Sequence, residues 1–166
     1  MGNGFDKITE TIFLGDYTAS TDIQELKESG ITKVLTVMDY QDGPKYNKDE
    51  FTHLRFNVAD DEHQNIIQYF GECLNYMKGD KKVLVHCMAG ASRSATIVIA
   101  YLMWTEKLKF EKAFDIVKTK RSIVCPNDGF QDQLKLFEKL LIENDYDIDK
   151  IKFNEIKWIP PDGLVY

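Results

Sequence analysis

Cysteine is scarce in this sequence. Three cysteines occur in 166 residues, and none of them forms a CxxC pair. An odd number cannot close a full disulfide framework, and the spacing does not give a zinc-ligand pattern. We therefore expect a reducing compartment, the cytoplasm or the nucleus, and neither a metal nor another cofactor. One of the cysteines is then free to be reactive.

Positive charge and long apolar runs are also lacking. The formal net charge is -6, which argues against nucleic acid and anionic membranes as partners, because both need a basic face. An anionic substrate would have to be bound by a local device. The longest apolar run, residues 97–104, is far shorter than the roughly 20 residues that span a bilayer, so it predicts a buried helix.

What is present is an alternation of strand-like and helical segments, which is typical of a single α/β domain. Strands are predicted at residues 11–14, 31–38, 51–58 and 82–85. Helices are predicted at residues 21–29, with a cap at Ser20 or Thr21, at 65–79, from 93 onwards, and around 110–117 and 130–141. Residues 145–166 show no period, and we expect them to form an extension on or near the domain.

The buried strand before residue 86 runs directly into the segment HCMAGASRS, residues 86–94. Small residues between Cys87 and Arg93, including Gly90, allow successive N–H groups to point inward at a helix N-terminus, which makes an oxyanion site. The same N–H groups, the helix dipole and Arg93 would keep Cys87 largely a nucleophilic thiolate. The planar guanidinium of Arg93 can bind two phosphoryl oxygens, and such a site needs no metal ion.

Residues 86–94 match the HCxxGxxRS signature of dual specificity protein phosphatases at each fixed position. Similarity extends through residues 12–15, 95–103 and 126–130, and so covers about residues 8–142. With its MGNG start, the sequence resembles the small atypical members that include the JNK-pathway-associated phosphatases.

The resemblance implies an α/β fold and an activity. It implies a central, mostly parallel, five-stranded sheet flanked by helices, with residues 1–144 as the catalytic domain. It also implies hydrolysis of phosphotyrosine and of phosphoserine or phosphothreonine in proteins, through a phosphocysteine intermediate. Six loop residues would bind the phosphate: Met88, Ala89, Gly90, Ala91, Ser92 and Arg93.

A general acid on an upstream loop is also implied. Family members carry it five positions before the asparagine that opens the next helix, and this spacing selects Asp60. A carboxyl group there would protonate the leaving oxygen and then, as a base, activate water. Asp61 and Glu62 are the competing candidates, and the alternative for both is a solvated acidic turn.

Supporting roles come from the same resemblance. Ser94 would donate its hydroxyl to the Cys87 sulfur, and it could also cap the helix. His86 would orient the loop, and Asn127 would brace the loops around the site. Cys125 could be a redox partner of Cys87, although a packed structural thiol is the simpler interpretation.

For three further residues, a structural role is a simpler interpretation than a role in catalysis or metal binding. Cys73 lies on the apolar stripe of the helix predicted at residues 65–79, and we expect it in the core. His53 and His63 are expected to be surface residues and not ligands.

Gly2 is a candidate lipidation site. Loss of Met1 would expose Gly2 for myristoylation, which some relatives carry, but Asp6 occupies the position where the simple motif has Ser or Thr. An unmodified N-terminus and a myristoylated one both stay open. A single acyl chain anchors only marginally, so membrane association would also need a second signal.

The residues of the loop favour this function over three others. Phosphatases acting on inositol lipids usually carry lysines inside the loop, whereas here its variable positions are uncharged, so phosphoproteins are favoured as substrates. A phosphatase-like binding module would generally lack the cysteine or the arginine. A sulfurtransferase loop lacks the Arg-Ser that follows here.

Overall fold

The computed structural model describes residues 4–39 and 43–161. They form a five-stranded sheet in the order β1-β2-β5-β3-β4, in which only β1 pairs antiparallel with its neighbour and the other strand pairs are parallel. The predicted mostly parallel sheet is therefore confirmed. The strands are β1 Phe5–Lys7, β2 Ile12–Gly15, β3 Ile31–Val37, β4 Thr52–Phe56 and β5 Lys82–His86.

Helices cover both faces of the sheet. They are α1 Tyr17–Thr21, α2 Ile23–Glu28, α3 Phe70–Met77, α4 Arg93–Thr105, α5 Phe110–Lys120 and α6 Asp128–Glu143. Val83 and Val85 of the central strand β5 pack in the larger core with α3 to α6, while Leu84 faces the smaller core with α2. This alternation follows from the two-residue period of a strand.

The run at residues 97–104 lies within α4, which is buried over most of its length, as predicted. It packs against β2, β3 and β5 and against α3, α5 and α6, which explains why it is apolar on all sides. Across residues 4–39 and 43–161, no helix combines the length and the apolarity that crossing a bilayer requires.

Two local predictions are wrong. The helix expected at residues 21–29 is α2, but its N-cap is Asp22, which accepts from the Glu25 N–H, and not Ser20 or Thr21. Those two residues belong to the separate short helix α1, which Asp16 caps by accepting from the Ala19 N–H. The helix expected from residue 65 begins as a single 3₁₀ turn, Ile67–Tyr69, and is α-helical only from Phe70. The short edge strand β1 has no counterpart among the predicted strands.

The C-terminal segment, residues 145–161, has two single 3₁₀ turns, Ile148–Lys150 and Phe153–Glu155. Three of its apolar side chains are buried in the main core: Ile148, Ile151 and Phe153. The Phe153 ring lies 5.9 Å from the Phe137 ring of α6, centroid to centroid. The segment therefore contributes to the core while following the surface.

Candidate active site

The phosphate loop, residues 86–94, connects the carboxyl end of β5 with the N-terminus of α4. Cys87 is 2% exposed and Arg93 is 8% exposed, so both lie inside the fold. Gly90 has a φ of +69°, a value that lets the backbone turn tightly. The loop thus stands where a parallel sheet and a helix N-terminus both favour an anion.

Within the described part of the chain, the sulfur of Cys87 has two hydrogen-bonding neighbours. The Ser94 hydroxyl oxygen lies 3.0 Å from Sγ, and the Gly90 N–H donates to Sγ over 3.3 Å. Both contacts stabilise negative charge on sulfur. The structure therefore places Ser94 beside the sulfur that it was predicted to assist. The alternative that Ser94 caps α4 is wrong, because the N-cap residue is Ser92 and Ser94 lies within the first turn.

Arg93 is held from one side of its guanidinium. Its Nη1 donates to Asp39 Oδ1 over 2.9 Å and to the Val58 carbonyl oxygen over 3.0 Å. Its Nε is buried and has no hydrogen-bond partner in the part of the chain that the structure describes. A buried donor without a partner is costly, so this N–H group is available for a bound oxyanion. Asp39 is absent from the predicted site.

His86 lies at the base of the loop in neutral form, because burial lowers its pKa to about 4. Its Nδ1 lies 3.2 Å from the Cys87 carbonyl oxygen, and its Nε2 lies 2.7 Å from the Thr36 hydroxyl. A carbonyl only accepts, so Nδ1 carries the proton and Nε2 accepts from Thr36. Thr36 in turn lies 2.7 Å from His53 Nε2, which connects the exposed His53 with the site.

Asp60 belongs to the acid loop, which we define as residues 57–66. Its Oδ1 accepts from Asn127 Nδ2 over 3.0 Å. Asn127 also caps α6 by accepting from the Phe130 N–H, and its own N–H donates to the Ser92 hydroxyl oxygen over 3.0 Å. The predicted bracing residue thus connects the phosphate loop, α6 and the predicted general acid.

The two competing carboxylates have other surroundings. Asp61 accepts from the backbone N–H of His63 over 2.7 Å and lies 2.9 Å from its ring Nδ1. These contacts, the backbone one first, lower the pKa of Asp61, which disfavours the protonated form that a general acid needs. Among the described residues, the Glu62 side chain makes no hydrogen bond to the phosphate loop, whereas Asn127 connects Asp60 with that loop.

Arg121, at the end of α5, is a supporting residue that the sequence did not reveal. Its Nε donates to the Gly90 carbonyl oxygen over 2.9 Å, its Nη2 to that of Ala89 over 3.2 Å, and its Nη1 to Asp6 Oδ2 over 2.9 Å. Holding these carbonyl groups from outside keeps the opposite N–H edge of the loop directed inward. In the sequence, Arg121 is marked only as a charged residue at the end of a predicted helix, which is too weak a signal to assign it to the site.

The remaining candidate residues lie in different surroundings. Met88 is 43% exposed at the loop surface, while Ser92 is buried. Ala89 is exposed and Ala91 is half-buried. The interpretation of Cys125 as a packed structural thiol is wrong, because Cys125 is exposed. Its backbone N–H donates to the Ala91 carbonyl oxygen over 2.7 Å.

Cys73 is buried, as expected, and burial raises the pKa of its thiol. Gly2 lies outside the described residues. Among the residues that are described, no three His, Cys, Asp or Glu side chains form a group able to hold a metal ion.

Gly90→Ala tests the close packing of the loop. A Cβ at this position would lie 2.6 Å from the Gly15 carbonyl oxygen, in addition to the strain of a positive φ. We expect the free energy of unfolding, measured with urea, to fall by about 2–4 kcal/mol. The control is Gly79→Ala, which has a φ of +110° with nothing within 4 Å, and it should lose about 1–2 kcal/mol. Equal losses would contradict a close contact at Gly90.

Known proteins that are similar to this chain belong to the family that the site geometry indicates. Residues 12–140 match the sequence profile of the dual specificity phosphatase catalytic domain. The fold and the site are thus those of cysteine-based phosphatases. This chain belongs to the dual specificity phosphatase family, which confirms the predicted family, fold and enzyme class.

Individual relatives are similar over most of this chain. MAP kinase phosphatase with leucine-rich repeats protein 1 of Dictyostelium discoideum is 42% identical over 81% of the chain, which spans 16% of that relative. Dual specificity protein phosphatase 22-A of Danio rerio is 37% identical over 83% of the chain and 67% of its own length. The crystal structure of the human tyrosine phosphatase-like serine/threonine/tyrosine-interacting protein has a TM-score of 0.79 and 32% identity, over 83% of this chain and 97% of that one.

Proposed function

We propose that this chain hydrolyses phosphotyrosine and phosphoserine or phosphothreonine in proteins through a phosphocysteine. One observation carries the proposal. Cys87 Sγ, with the Ser94 hydroxyl at 3.0 Å, lies in the same loop as a buried Arg93 Nε that lacks a partner within the described chain. Nucleophile and oxyanion donor are therefore both ready in one loop.

In the first step, the Cys87 thiolate attacks phosphorus, the S–P bond forms and the bond to the leaving oxygen breaks. Asp60 donates its proton to that oxygen, so that an alcohol or phenol departs. Loop N–H groups and Arg93 stabilise the charge on the three equatorial oxygens. The free Nε of Arg93 supplies a donor without breaking its contacts with Asp39 and Val58.

In the second step, Asp60, now a carboxylate, accepts a proton from water while the water oxygen attacks phosphorus. The S–P bond breaks, and the Ser94 hydroxyl hydrogen bond stabilises the departing thiolate, consistent with the 3.0 Å contact. Inorganic phosphate leaves, and Asp60 is protonated again for the next cycle.

The substrate class follows from the rim of the loop. Met88, Ala89 and Ala91 are uncharged and wholly or partly exposed, so the mouth suits a phosphorylated side chain better than a multiply charged headgroup. The net charge of -6 disfavours nucleic acid. One relative is named a MAP kinase phosphatase, and a phosphorylated component of a kinase signalling pathway is the partner that we propose.

We place this activity in the cytoplasm and the nucleus, because three cysteines without pairing suit a reducing compartment. Membrane association is proposed only for chains in which Gly2 carries a myristoyl group. Its extent would depend on a second attachment signal.

Hydrolysis of p-nitrophenyl phosphate in EDTA tests the reaction, followed by phosphotyrosine and phosphothreonine peptides. We expect turnover to be unchanged by EDTA, because the loop alone supplies the donors. We also expect Asp60→Ala to retain a phosphoprotein, which tungstate should release by competing for the loop.

Other outcomes have clear meanings. Activity lost in EDTA would indicate metal chemistry and contradict the proposed mechanism. No turnover by the wild type, with peptide binding retained, would favour a binding module, the alternative raised by the human neighbour named an interacting protein.

A further inference from the structure

The acid loop, residues 57–66, contains no helix or strand, so regular secondary structure does not fix the position of Asp60. Inside the loop, the Ala59 N–H donates to Gln64 Oε1 over 3.0 Å, and the Gln64 N–H donates to the Asp61 carbonyl oxygen over 3.0 Å. Such local bonds shape a turn, but they do not fix the turn relative to the phosphate loop. Before Asp60, the Arg93 bond to the Val58 carbonyl oxygen attaches the acid loop to the phosphate loop, and the part after Asp60 has no such bond among the described residues. Its position therefore depends on what packs against it.

The C-terminal segment contacts this loop twice, shortly after Asp60. Trp158 Nε1 donates to the Glu62 carbonyl oxygen over 3.2 Å. On the other side, Asn65 Nδ2 donates to the Ile156 carbonyl oxygen over 2.7 Å. Each bond joins a side chain of one segment to the backbone of the other, so the two segments are held in register.

The acid loop also packs against α6. The Glu62 carbonyl oxygen lies over Gly129, where a Cβ would be only 1.9 Å away. Gln133 of α6 donates through Nε2 to the Gln64 carbonyl oxygen over 2.9 Å. A cleft of about 260 Å³ between the loop, α6 and the C-terminal segment is lined by Glu62, Asp128, Gly129, Asp132, Pro160 and Pro161.

The C-terminal segment is itself firmly attached. Buried Ile148, Ile151 and Phe153 root it in the main core, and the Phe153 ring packs so closely on Gly71 that a Cβ there would lie 2.8 Å from it. The part that reaches the acid loop, residues 156–158, follows directly. Because residues 148–153 are buried in the core, the residues that follow them are held in place and can fix the position of a loop that lacks regular structure.

We propose that the C-terminal segment positions the general acid, with Trp158 as the main positioning residue. The bonds at Glu62 and Asn65 hold the acid loop against α6, and this keeps the Asp60 carboxyl within reach of the Asn127 amide at 3.0 Å. This inference rests on the proposed role of Asp60. It gives residues 145–161 a function in the reaction in addition to their place in the core.

The test is Trp158→Phe, which keeps an aromatic ring and removes the indole N–H. We would measure kcat/KM for phenyl phosphate, which needs a proton on its leaving oxygen, and for 2,4-dinitrophenyl phosphate, whose acidic phenol leaves without one. We expect kcat/KM for phenyl phosphate to fall about three- to tenfold, the effect of one lost hydrogen bond. The value for 2,4-dinitrophenyl phosphate should change less than about twofold.

Trp104→Phe is the matched control. Its indole Nε1 also donates to a backbone carbonyl, that of Tyr146, over 3.0 Å, but it has no contact with the acid loop among the described residues. We expect both substrates to be hydrolysed at wild-type rates by this variant. Asp60→Asn should show the same substrate dependence as Trp158→Phe, with a larger loss.

Each other outcome overturns the inference in a distinguishable way. If Trp158→Phe affects both substrates equally or neither, the segment does not position the acid, although wild-type turnover would leave the proposed function standing. If Asp60→Asn shows no substrate dependence, or the wild type is inactive, the proposed function fails as well. Amide hydrogen exchange at Ala59 and Gln64 gives a second readout, and it should become faster in Trp158→Phe and stay unchanged in Trp104→Phe.

Discussion

Cys87→Ser is expected to lower kcat for p-nitrophenyl phosphate by about ten-thousand-fold, which leaves essentially no turnover. A serine hydroxyl at this position is far less acidic than a thiol, so the contacts from Ser94 and the Gly90 N–H do not ionise it at neutral pH. The loop N–H groups and Arg93 are unchanged. The variant should therefore still bind tungstate or a phosphopeptide, and calorimetry can measure this.

Cys125→Ser is the control for this change. Cys125 is exposed and is connected to the phosphate loop through its backbone N–H, so the same substitution leaves that connection intact. We expect nearly wild-type turnover. A Cys87→Ser protein that retained a tenth of the activity, or a Cys125→Ser protein that lost it, would assign the nucleophile elsewhere.

Arg93→Lys should lower kcat/KM by about a thousandfold although it conserves the charge. The guanidinium makes its contacts with Asp39 and Val58 through Nη1 and keeps Nε for the substrate. A lysine has one ammonium group, which cannot serve both sides at once. The measurement is kcat/KM together with tungstate affinity, because both should fall.

Asp39→Asn separates the two sides of the arginine. The Asp39 side chain is 59% exposed, so water screens its interaction with the buried Arg93 and the ion pair contributes little. We therefore expect kcat/KM to fall less than about tenfold. The neutral amide keeps an oxygen for Nη1. An Asp39→Asn loss as large as that of Arg93→Lys would show that the ion pair, and not phosphate binding, accounts for the effect of the lysine.

The environment of Cys87 is predictable from the sequence because its parts are adjacent in the chain. A short apolar run gives β5, the small residues after it give the turn, and the apolar residues from position 95 give α4. Local propensity and chemistry agree there. The resemblance to the family adds a role for Ser94 through the signature at residues 86–94, and a role for Asp60 through its spacing from Asn65.

Residues that meet only in the folded chain were not predictable. Asp39 reaches Arg93, and Arg121 reaches Gly90, from segments far away in the sequence. No period or spacing marks them, since each is a single charged residue at the end of a strand or helix. The three-residue strand β1 is similarly too short to produce a pattern, and it exists because it can pair with the edge of β2.

The hydroxyl of Thr36 stands between two imidazole rings and has only one hydrogen to give. Because that hydrogen goes to His86, the ring of His53 must be the donor on the other side, and it can donate from Nε2 both as a neutral tautomer and as a cation. Acidification that protonates His53 therefore leaves the direction of both hydrogen bonds unchanged: His53 donates to Thr36, and Thr36 donates to His86. The support beneath the nucleophile is insulated from pH at the protein surface until His86 itself takes up a proton, near pH 4.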